Sequence, residues 1–384
     1  ACDVLQQRLH LGEKELRKTV MQLPQVLGLS YETDVVPSLG ALQQRLALSD
    51  AELKSVVVRH PWALEVSFDA DIAPALAALQ EQLSLSDAEL KKLVVVRPRM
   101  LSKAYEAEMK PTLTALQQRL DLSDNELRKV VKGRPALLTY DYGAIVEPAL
   151  ARFQSRLGLS DAELKKIVLR SAVMFTFNYE ATIESTLTPL QQRLELTDDE
   201  LKRVVLVLPT LLGYNYENSI KKKLDALQQR LDLDDAQLKK LVLRCPQVLG
   251  MSFQAAINPK LAALRDRLKL SEAELRWVVL GSPKMLNCNF DVNVLPTLDF
   301  LQKEVNLTDD ALRKEVLYNP RLLGFSLERR YKPRVEMCRE AGASLRKYLL
   351  PHVTRSDDKF AAIIERRTSR KETHDQRRAT STAA

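Results

Sequence analysis

The apolar residues at positions 53, 56 and 57 follow the spacing of an amphipathic helix. Just before them, Ser49 and Glu52 form the pattern of a capping box, in which the hydroxyl and the carboxylate each bind one of the first backbone N–H groups of a helix. Pro61 disfavours helical backbone in the residue before it. The pattern therefore predicts a helix over about residues 50–59.

A second apolar stripe begins at Phe68 and continues through positions 72, 76, 79 and 83, again with helical spacing. Ser67, directly before it, is a favourable N-cap residue. Pro74 lies inside the stripe, so either the helix bends there or a short first turn precedes the main helix; the sequence leaves both open. The equivalent N-cap positions elsewhere are Ser30, Asp141, Asn178, Asn215, Ser252, Asn289 and Ser326, with Ala104 as the exception.

This two-helix pattern returns every 37 residues, and nine units follow one another without an insertion or deletion. The first proline series consists of Pro24, Pro61, Pro98, Pro135, Pro209, Pro246, Pro283 and Pro320, with Ala172 in the remaining position. The second series consists of Pro37, Pro74, Pro111, Pro148, Pro259, Pro296 and Pro333, with Ser185 and Lys222 in between. One helical pair cannot bury its apolar face but stacked pairs can, so the sequence predicts an all-α solenoid.

The period divides the chain into four segments. Residues 1–11 are predicted to be the C-terminal part of a preceding repeat, 12–344 to hold nine repeats, 345–365 to form a C-terminal capping helix and 366–384 a basic flexible tail. Residues 328–384 carry 15 Lys/Arg and 8 Asp/Glu, so a net charge of +7 out of the chain's +8 lies in this end segment. A surface of the repeats that binds a polyanion must therefore separate basic from acidic side chains.

Composition and motifs exclude several classes of protein. The 384 residues are 45% hydrophobic and 28% charged, as in an ordinary globular protein, and contain no apolar run of membrane-spanning length, so we expect no membrane insertion. The four cysteines lie far apart without a CxxC pair, so neither a disulfide framework nor a zinc module is predicted. The histidines are isolated and no catalytic motif occurs. We therefore predict a protein that is not an enzyme and that has no cofactor and no metal.

The repeat resembles the motif of the mitochondrial transcription termination factor (mTERF) family. The similarity rests on segments such as "LSDAELKKIVLR" and "LKRVVLVLPTLLGYNYE", on the terminal stretch "SLERRYKPRVEMCREAG" and on "SDDKFAAII", and it covers roughly residues 3–365. It implies a right-handed superhelical α-solenoid of half-moon shape. It also implies an organellar, nuclear-encoded protein that binds double-stranded DNA or structured RNA in transcription termination or regulation, rRNA maturation, intron splicing or translation. Because the chain begins with Ala1, we expect a targeting peptide for the mitochondrion or chloroplast to have been removed.

Two basic columns follow the leucine that all nine first helices share. The first basic column consists of Arg17, Lys54, Lys91, Arg128, Lys165, Lys202, Lys239, Arg276 and Arg313. The second basic column consists of Lys18, Lys92, Lys129, Lys166, Arg203, Lys240 and Lys314. A register of cations suits the tracking of a phosphate backbone. The alternative is a set of weak surface pairs with capping residues, such as Glu89 with Lys92.

Arginines near the turn prolines extend the face of the second basic column, and the terminal segment adds a further basic group. The predicted nucleic-acid contacts are Lys18, Arg59, Lys92, Arg97, Lys129, Arg134, Lys166, Arg170, Arg203, Lys240, Arg244, Lys314, Arg329, Arg330, Lys332 and Arg334. A third series, the second-helix arginines, has long apolar stems that suit packing better than base reading. These are Arg8, Arg45, Arg119, Arg156, Arg193, Arg230 and Arg267.

Aromatic residues recur at the position of Phe68, and since Phe68 starts the apolar stripe, we expect this series to pack in the core rather than to stack on bases. Trp277 replaces a member of the second basic column and is a candidate for stacking on a base or a partner. We expect a monomer that binds organellar DNA or RNA, with ribosomal or transcription-machinery proteins as further candidate partners. The near-neutral repeats leave a rival hypothesis open, a protein-binding scaffold subunit of an organellar assembly such as a mitoribosome.

Overall fold

The repeating element is a pair of α-helices joined by two short helical turns of other types. In the computed structural model, which describes residues 2–102, 105–175 and 179–382, the first helix of the unit examined above is Asp50–Arg59, as predicted. A 3₁₀ turn, Pro61–Leu64, and a π turn, Phe68–Ile72, lead into the second helix, Ala73–Gln82. Each regular element in the described part of the chain is helical.

The π turn answers the question that Pro74 left open. The N–H of Ala73 donates to the carbonyl of Phe68, which closes the wide turn, and Pro74 is the second residue of the α-helix that follows. Proline is tolerated in a first helical turn because its missing N–H would have no partner there. A short turn therefore precedes the main helix. The fifth unit keeps the arrangement without either proline, with a 3₁₀ turn at Ala172–Met174 and a π turn at Glu180–Glu184.

The chain divides into two compact units, residues 1–185 and 186–384. The helices of the first unit are α1 Cys2–Leu9, α2 Glu13–Gln22, α3 Val36–Leu46, α4 Asp50–Arg59, α5 Ala73–Gln82, α6 Asp87–Val96, α7 Lys110–Arg119, α8 Asp124–Gly133, α9 Glu147–Leu157 and α10 Asp161–Arg170. The helices of the second unit, the first of which begins at the boundary, are α11 Ser185–Arg193, α12 Asp198–Val207, α13 Lys222–Leu231, α14 Asp235–Arg244, α15 Asn258–Leu268, α16 Glu272–Gly281, α17 Leu295–Val305, α18 Asp309–Tyr318, α19 Lys332–Glu340, α20 Leu345–His352 and α21 Asp357–Thr382.

Side chains cap the N-termini of first helices and of π turns, as the sequence predicts. Ser49 Oγ accepts from the N–H of Glu52 at 3.3 Å, and a Glu52 carboxylate oxygen accepts from the N–H of Ser49 at 2.8 Å. The predicted capping boxes that begin at Ser49, Ser86, Ser123, Ser160, Thr197 and Ser271 are all present. The side-chain caps predicted before the second helices are present at the start of the π turns, at Ser67, Asp141, Asn215, Ser252, Asn289 and Ser326. Ala104 and Asn178 lie outside the described residues.

The apolar stripes of both helices form the core. Leu53, Val56 and Val57 have no exposed surface, and the same three positions of α12 and α14 are equally buried. Most of the aromatic series also packs inward: Phe68, Tyr105, Tyr179, Tyr216 and Phe290 are buried, whereas Tyr31, Tyr142 and Phe253 are half-buried. The prediction of core packing for this series is therefore supported. Burial of these side chains is what stacks one helical pair on the next.

The C-terminal end differs from the prediction. Residues 345–365 were expected to form one capping helix, but two helices occupy this region, Leu345–His352 and Asp357–Thr382. Pro351, which has no N–H to donate, lies one residue before the end of the first. The second continues through the segment predicted as a flexible tail, so residues 366–382 are helical in the structure. Nine of these 17 residues are Arg, Lys, Glu, Gln or Ala, which are good helix formers, and five of the nine are Arg.

Candidate nucleic-acid interface

The first basic column ties each repeat to the one before it. Lys91 Nζ lies 2.8 Å from a carboxylate oxygen of Glu52 and donates to the carbonyl of Ala47 at 2.8 Å. Ala47 ends the preceding second helix in a left-handed conformation, so the ammonium group binds a helix C-terminus and a capping carboxylate together. Lys54 and Lys239 repeat the arrangement with Glu15 and Glu200 at 2.7 and 2.8 Å.

These ties hold the capping carboxylates in the charged state. The hydrogen bond from Lys91, with that from the Ser49 backbone, lowers the pKa of Glu52 to about 2. Arg313 binds both carboxylate oxygens of Glu274, at 2.6 and 2.7 Å, and with the backbone of Ser271 lowers the pKa of Glu274 to about 2. The acidic residues of the caps are therefore neutralised by the first basic column.

The second-helix arginines also connect neighbouring repeats through hydrogen bonds, which supports the packing role expected for them. Arg45 donates to the amide oxygen of Gln80 in the next repeat and lies 3.2 Å from Asp87. The Gln80 amide in turn donates to the carbonyl of Leu85 at 3.1 Å and to Asp87 at 3.0 Å. The same chain of contacts joins Arg193, Gln228 and Asp235. Each arginine thereby orders the linker into the next first helix.

The second basic column remains on the surface after these ties are made. All seven of its members are exposed: Lys18, Lys92, Lys129 and Lys166 in the first unit, and Arg203, Lys240 and Lys314 in the second. Within the part of the chain that the structure describes, none of the six lysines forms an ion pair. One helical turn before Lys92, Lys166 and Lys240 lies an alanine. These three lysines therefore have no acidic residue four positions earlier, whereas Arg203 and Lys314 follow Asp199 and Asp310 at that spacing.

The arginines near the turn prolines lie at the junctions between repeats. Arg59 is exposed, and its guanidinium donates to the carbonyls of Val95 and Val96 at 2.8 and 2.9 Å. Arg244 donates in the same way to the carbonyl of Leu280 at 2.9 Å. These carbonyls belong to the last turns of α6 and α16, where backbone oxygens have no partner within the helix.

The arginines directly before the proline reach further, into the following turn. Arg97 donates to Thr139 Oγ1 at 3.2 and 3.3 Å, and Arg134 donates to the carbonyl of Phe175 at 2.9 Å. Both side chains are half-buried, whereas Arg170 is exposed. Arg97 and Arg134 therefore hold neighbouring repeats together, a role that the sequence did not indicate.

The terminal group does not form a uniform basic surface. Arg334 is 2% exposed, donates to Asp357 at 2.7 Å and to the carbonyls of His352, Val353 and Arg355, and stacks on the Phe360 ring at 4.5 Å. The predicted phosphate contact of Arg334 is therefore replaced by a structural role: it anchors α21 on α19.

The remaining terminal residues differ in their accessibility. Arg330 is half-buried, stacks on Phe325 at 4.6 Å and donates to the carbonyl of Val353 at 3.2 Å. Lys332 is exposed and lies 2.6 Å from a carboxylate oxygen of Glu328, one turn earlier. Arg329 is exposed. Of the four, Arg329 and Lys332 keep their charges on the surface.

Two large aromatic side chains of the second unit, Trp277 and Tyr318, are exposed. Trp277, at the position of the second basic column in α16, is 62% exposed, and its Nε1–H donates to the carbonyl of Leu317 at 2.9 Å. Tyr318, the next residue, is 85% exposed. The hypothesis that Trp277 stacks on a ligand stays a prediction, but its ring is accessible and held in place.

The residues that the structure describes also bear on metal ligation, thiol reactivity and membrane crossing. Among the described residues, no group of three or more His, Cys, Asp or Glu side chains is placed to bind a metal ion. Cys245, Cys288 and Cys338 are free, and burial raises the pKa of Cys245 to about 11, which disfavours the reactive thiolate. None of the helices in the described part combines the length and apolar character needed to cross a bilayer.

Stacked two-helix repeats with polar ties and an exposed basic column define an all-α helical-repeat protein of the solenoid class. A protein-family model described as mTERF matches residues 3–270 and 180–361. The chain belongs to the mTERF family, and the resemblance noted in the sequence is confirmed. No match was found among the curated proteins. Membership supports, in general terms, a role in organellar nucleic-acid binding and gene expression.

Proposed function

We propose that this protein binds organellar nucleic acid, double-stranded DNA or structured RNA, without catalysing a reaction, through the second basic column. The observation that carries the proposal is the exposure of the second basic column beside capping carboxylates that other cations already neutralise. Capping carboxylates such as Glu52 are neutralised by the first basic column, whereas Lys92, Lys129 and Lys166 are exposed. A row of such cations on parallel helices about 8–10 Å apart suits a phosphate backbone.

This role places the protein in organelle gene expression, in transcription termination or regulation, rRNA maturation, splicing or translation, in a mitochondrion or chloroplast. The mTERF membership supports the organellar setting. The exposed basic column supports phosphate contacts, which give affinity for many sequences. We propose that a monomer binds, since each unit presents its own basic residues.

The test is the salt dependence of binding, measured by fluorescence anisotropy with a labelled 20-base-pair duplex and a labelled RNA hairpin. The triple variant Lys92→Ala, Lys129→Ala, Lys166→Ala removes three proposed phosphate contacts. Because each contact contributes about 0.7–0.9 to the slope of log affinity against log salt concentration, the slope should fall by about 2–3.

A matched control removes the same charge from second helices. Lys110 and Lys303 are exposed there, and Lys221 is exposed in the π turn directly before α13; Lys110 and Lys221 pair with a glutamate one turn earlier. Their replacement by alanine should leave the slope within about 0.5 of the wild-type value. An equal reduction of the slope in both triple variants would mean that bulk charge, not the second basic column, determines binding.

A second candidate function, a protein-binding scaffold, is favoured by the exposed side chains of Trp277 and Tyr318. Aromatic residues of this kind are enriched at protein interfaces. Purification from organelles distinguishes the two functions. Recovery of nucleic acid with the protein supports the first, and a stoichiometric protein partner without nucleic acid supports the second.

A further inference from the structure

The second unit contains an open cavity of about 560 Å³ at the turns of its last repeats. Arg244, Lys284 and Arg321 line it, together with Ser282, Thr354 and Phe325, and no residue of its lining is acidic. The size lies in the range of small-molecule and nucleotide sites. The cavity therefore has room for an anionic group and concentrates positive charge around it.

The three cations come from successive repeats by a local change of sequence. Lys284 and Arg321 follow the turn prolines of the eighth and ninth repeats, where the seventh repeat has Gln247. Both are exposed, and neither forms an ion pair within the part of the chain that the structure describes. Arg244 is held in place by its hydrogen bond to the carbonyl of Leu280. One fixed guanidinium and two accessible cations thus face the same cavity.

The walls of the cavity combine apolar residues, such as Leu243 and Pro283, with polar ones. Gly324 lies beside Ser282, since a Cβ at Gly324 would be 3.3 Å from the Ser282 hydroxyl oxygen. The Phe325 ring is fixed by Arg330, which stacks on it at 4.6 Å and is itself held by the carbonyls of Val353 and Arg355 at 3.2 Å. Hydroxyl donors, a fixed ring and three cations are the groups that bind a phosphate with an attached sugar or base.

We infer that this cavity is a phosphate-binding site whose ligand is a phosphate group of the bound nucleic acid. The identity of the ligand rests on the proposed function, but the site itself does not, because a free phosphate compound offers the same chemistry. Arg244 was already among the predicted contacts, whereas Lys284 and Arg321 were not. The inference adds an anion site at the turns to the contacts made by the second basic column.

The experiment compares the double variant Lys284→Ala, Arg321→Ala with Lys110→Ala, Lys221→Ala, which removes two exposed charges elsewhere. Both variants should melt like the wild type in circular dichroism, because all four side chains are on the surface. Anisotropy with the labelled duplex and the labelled hairpin gives the salt slope, and calorimetric titration with inorganic pyrophosphate at constant ionic strength measures binding of a free phosphate compound.

We expect the cavity variant to lower the salt slope by about 1.4–1.8 while the control does not, whether or not pyrophosphate binds. If pyrophosphate binds to the wild type and the control but not to the cavity variant, and the nucleic-acid slope is unchanged, the site is supported with a small phosphate compound as its ligand. The same pyrophosphate result without any nucleic-acid binding would reject the proposed function and keep the site. The inference would be overturned if the cavity variant had the salt slope of the control and bound pyrophosphate no more weakly than the control.

Discussion

Replacement of Gly281 by alanine should force two neighbouring repeats apart. Gly281 is the last residue of α16, and a Cβ placed there would lie 2.7 Å from Pro320 Cγ and 2.8 Å from Pro320 Cβ. Packed carbon atoms are normally about 3.5–4.0 Å apart, so the added methyl group overlaps the ring by roughly 1 Å. Pro320 is buried and its ring is part of the backbone, so relief requires a shift of the whole turn.

The expected magnitude follows from two opposing terms. Overpacking of this kind costs about 1–3 kcal/mol, whereas alanine is more favourable than glycine within a helix by about 1 kcal/mol. The free energy of unfolding should therefore fall by up to about 2 kcal/mol. In a cooperative unit of 150–250 residues, 1 kcal/mol changes the melting temperature by about 2–4 °C, so Tm should decrease by up to about 8 °C.

Gly133→Ala is the matched control. Gly133 ends α8 at the equivalent position of its repeat, and a Cβ there would meet nothing within 4 Å. Only the helix-propensity term then applies, so this variant should be more stable than the wild type by up to about 1 kcal/mol. Thermal melts followed by circular dichroism compare the two. A Gly281→Ala protein that melts at or above the wild-type temperature would refute the argument from the contact with Pro320.

Two further predictions concern charged groups. The carboxyls of Glu52 and Glu274 have a folded pKa of about 2 against an ordinary value of 4.5, so their contribution to stability is present above pH 4.5 and is lost as the pH falls toward 2. The double variant Glu52→Gln, Glu274→Gln should have a lower Tm at pH 7 and a smaller decrease in Tm between pH 5 and pH 2.5; parallel curves for variant and wild type would contradict this. Arg334→Ala should destabilise the protein by about 3 kcal/mol, because it removes a side chain that is 2% exposed and leaves the buried carbonyl of Val353 without that donor, whereas Arg329→Ala at an exposed position should change stability by less than about 0.5 kcal/mol. Similar thermal melts for the two arginine variants would show that the contacts of Arg334 contribute little.

Local structure was predictable because local interactions determine it. The helix from Asp50 to Arg59 has its cap, its apolar spacing and its terminating proline within thirteen residues of one another, and its bounds are those predicted. The choice at Pro74 was not predictable in the same way. A bend and a preceding turn would both accommodate a proline without an N–H donor. The turn is the arrangement observed, and Phe68 and Ile72 are buried in it.

The roles of the basic residues could be predicted only in part. The lysines of the second basic column are exposed, as a nucleic-acid contact requires, but the expected separation of acidic from basic faces is incomplete, because Asp199 and Asp310 lie one turn before Arg203 and Lys314. The partners of Arg59 and Arg134 lie 36 to 41 residues away, in the next repeat, and depend on how helices stack. For Arg334 the sequence shows only a cation in a basic segment, whereas its burial results from the docking of α21.

The ties between repeats also bear on how such a chain changes in length. Cations of the first basic column reach back to the previous repeat, and second-helix arginines reach forward to the glutamine and aspartate of the next, as Lys91 and Arg45 do; Arg230 instead binds Asn258 and Glu272. Duplication or loss of one whole 37-residue unit keeps most of these donors beside an equivalent acceptor. A single inserted residue rotates the following side chains by about 100° around their helix and separates both sets of partners at once. We therefore expect this architecture to tolerate duplication of a whole repeat within the gene. A small frame-preserving insertion within a repeat should instead disrupt the contacts between repeats.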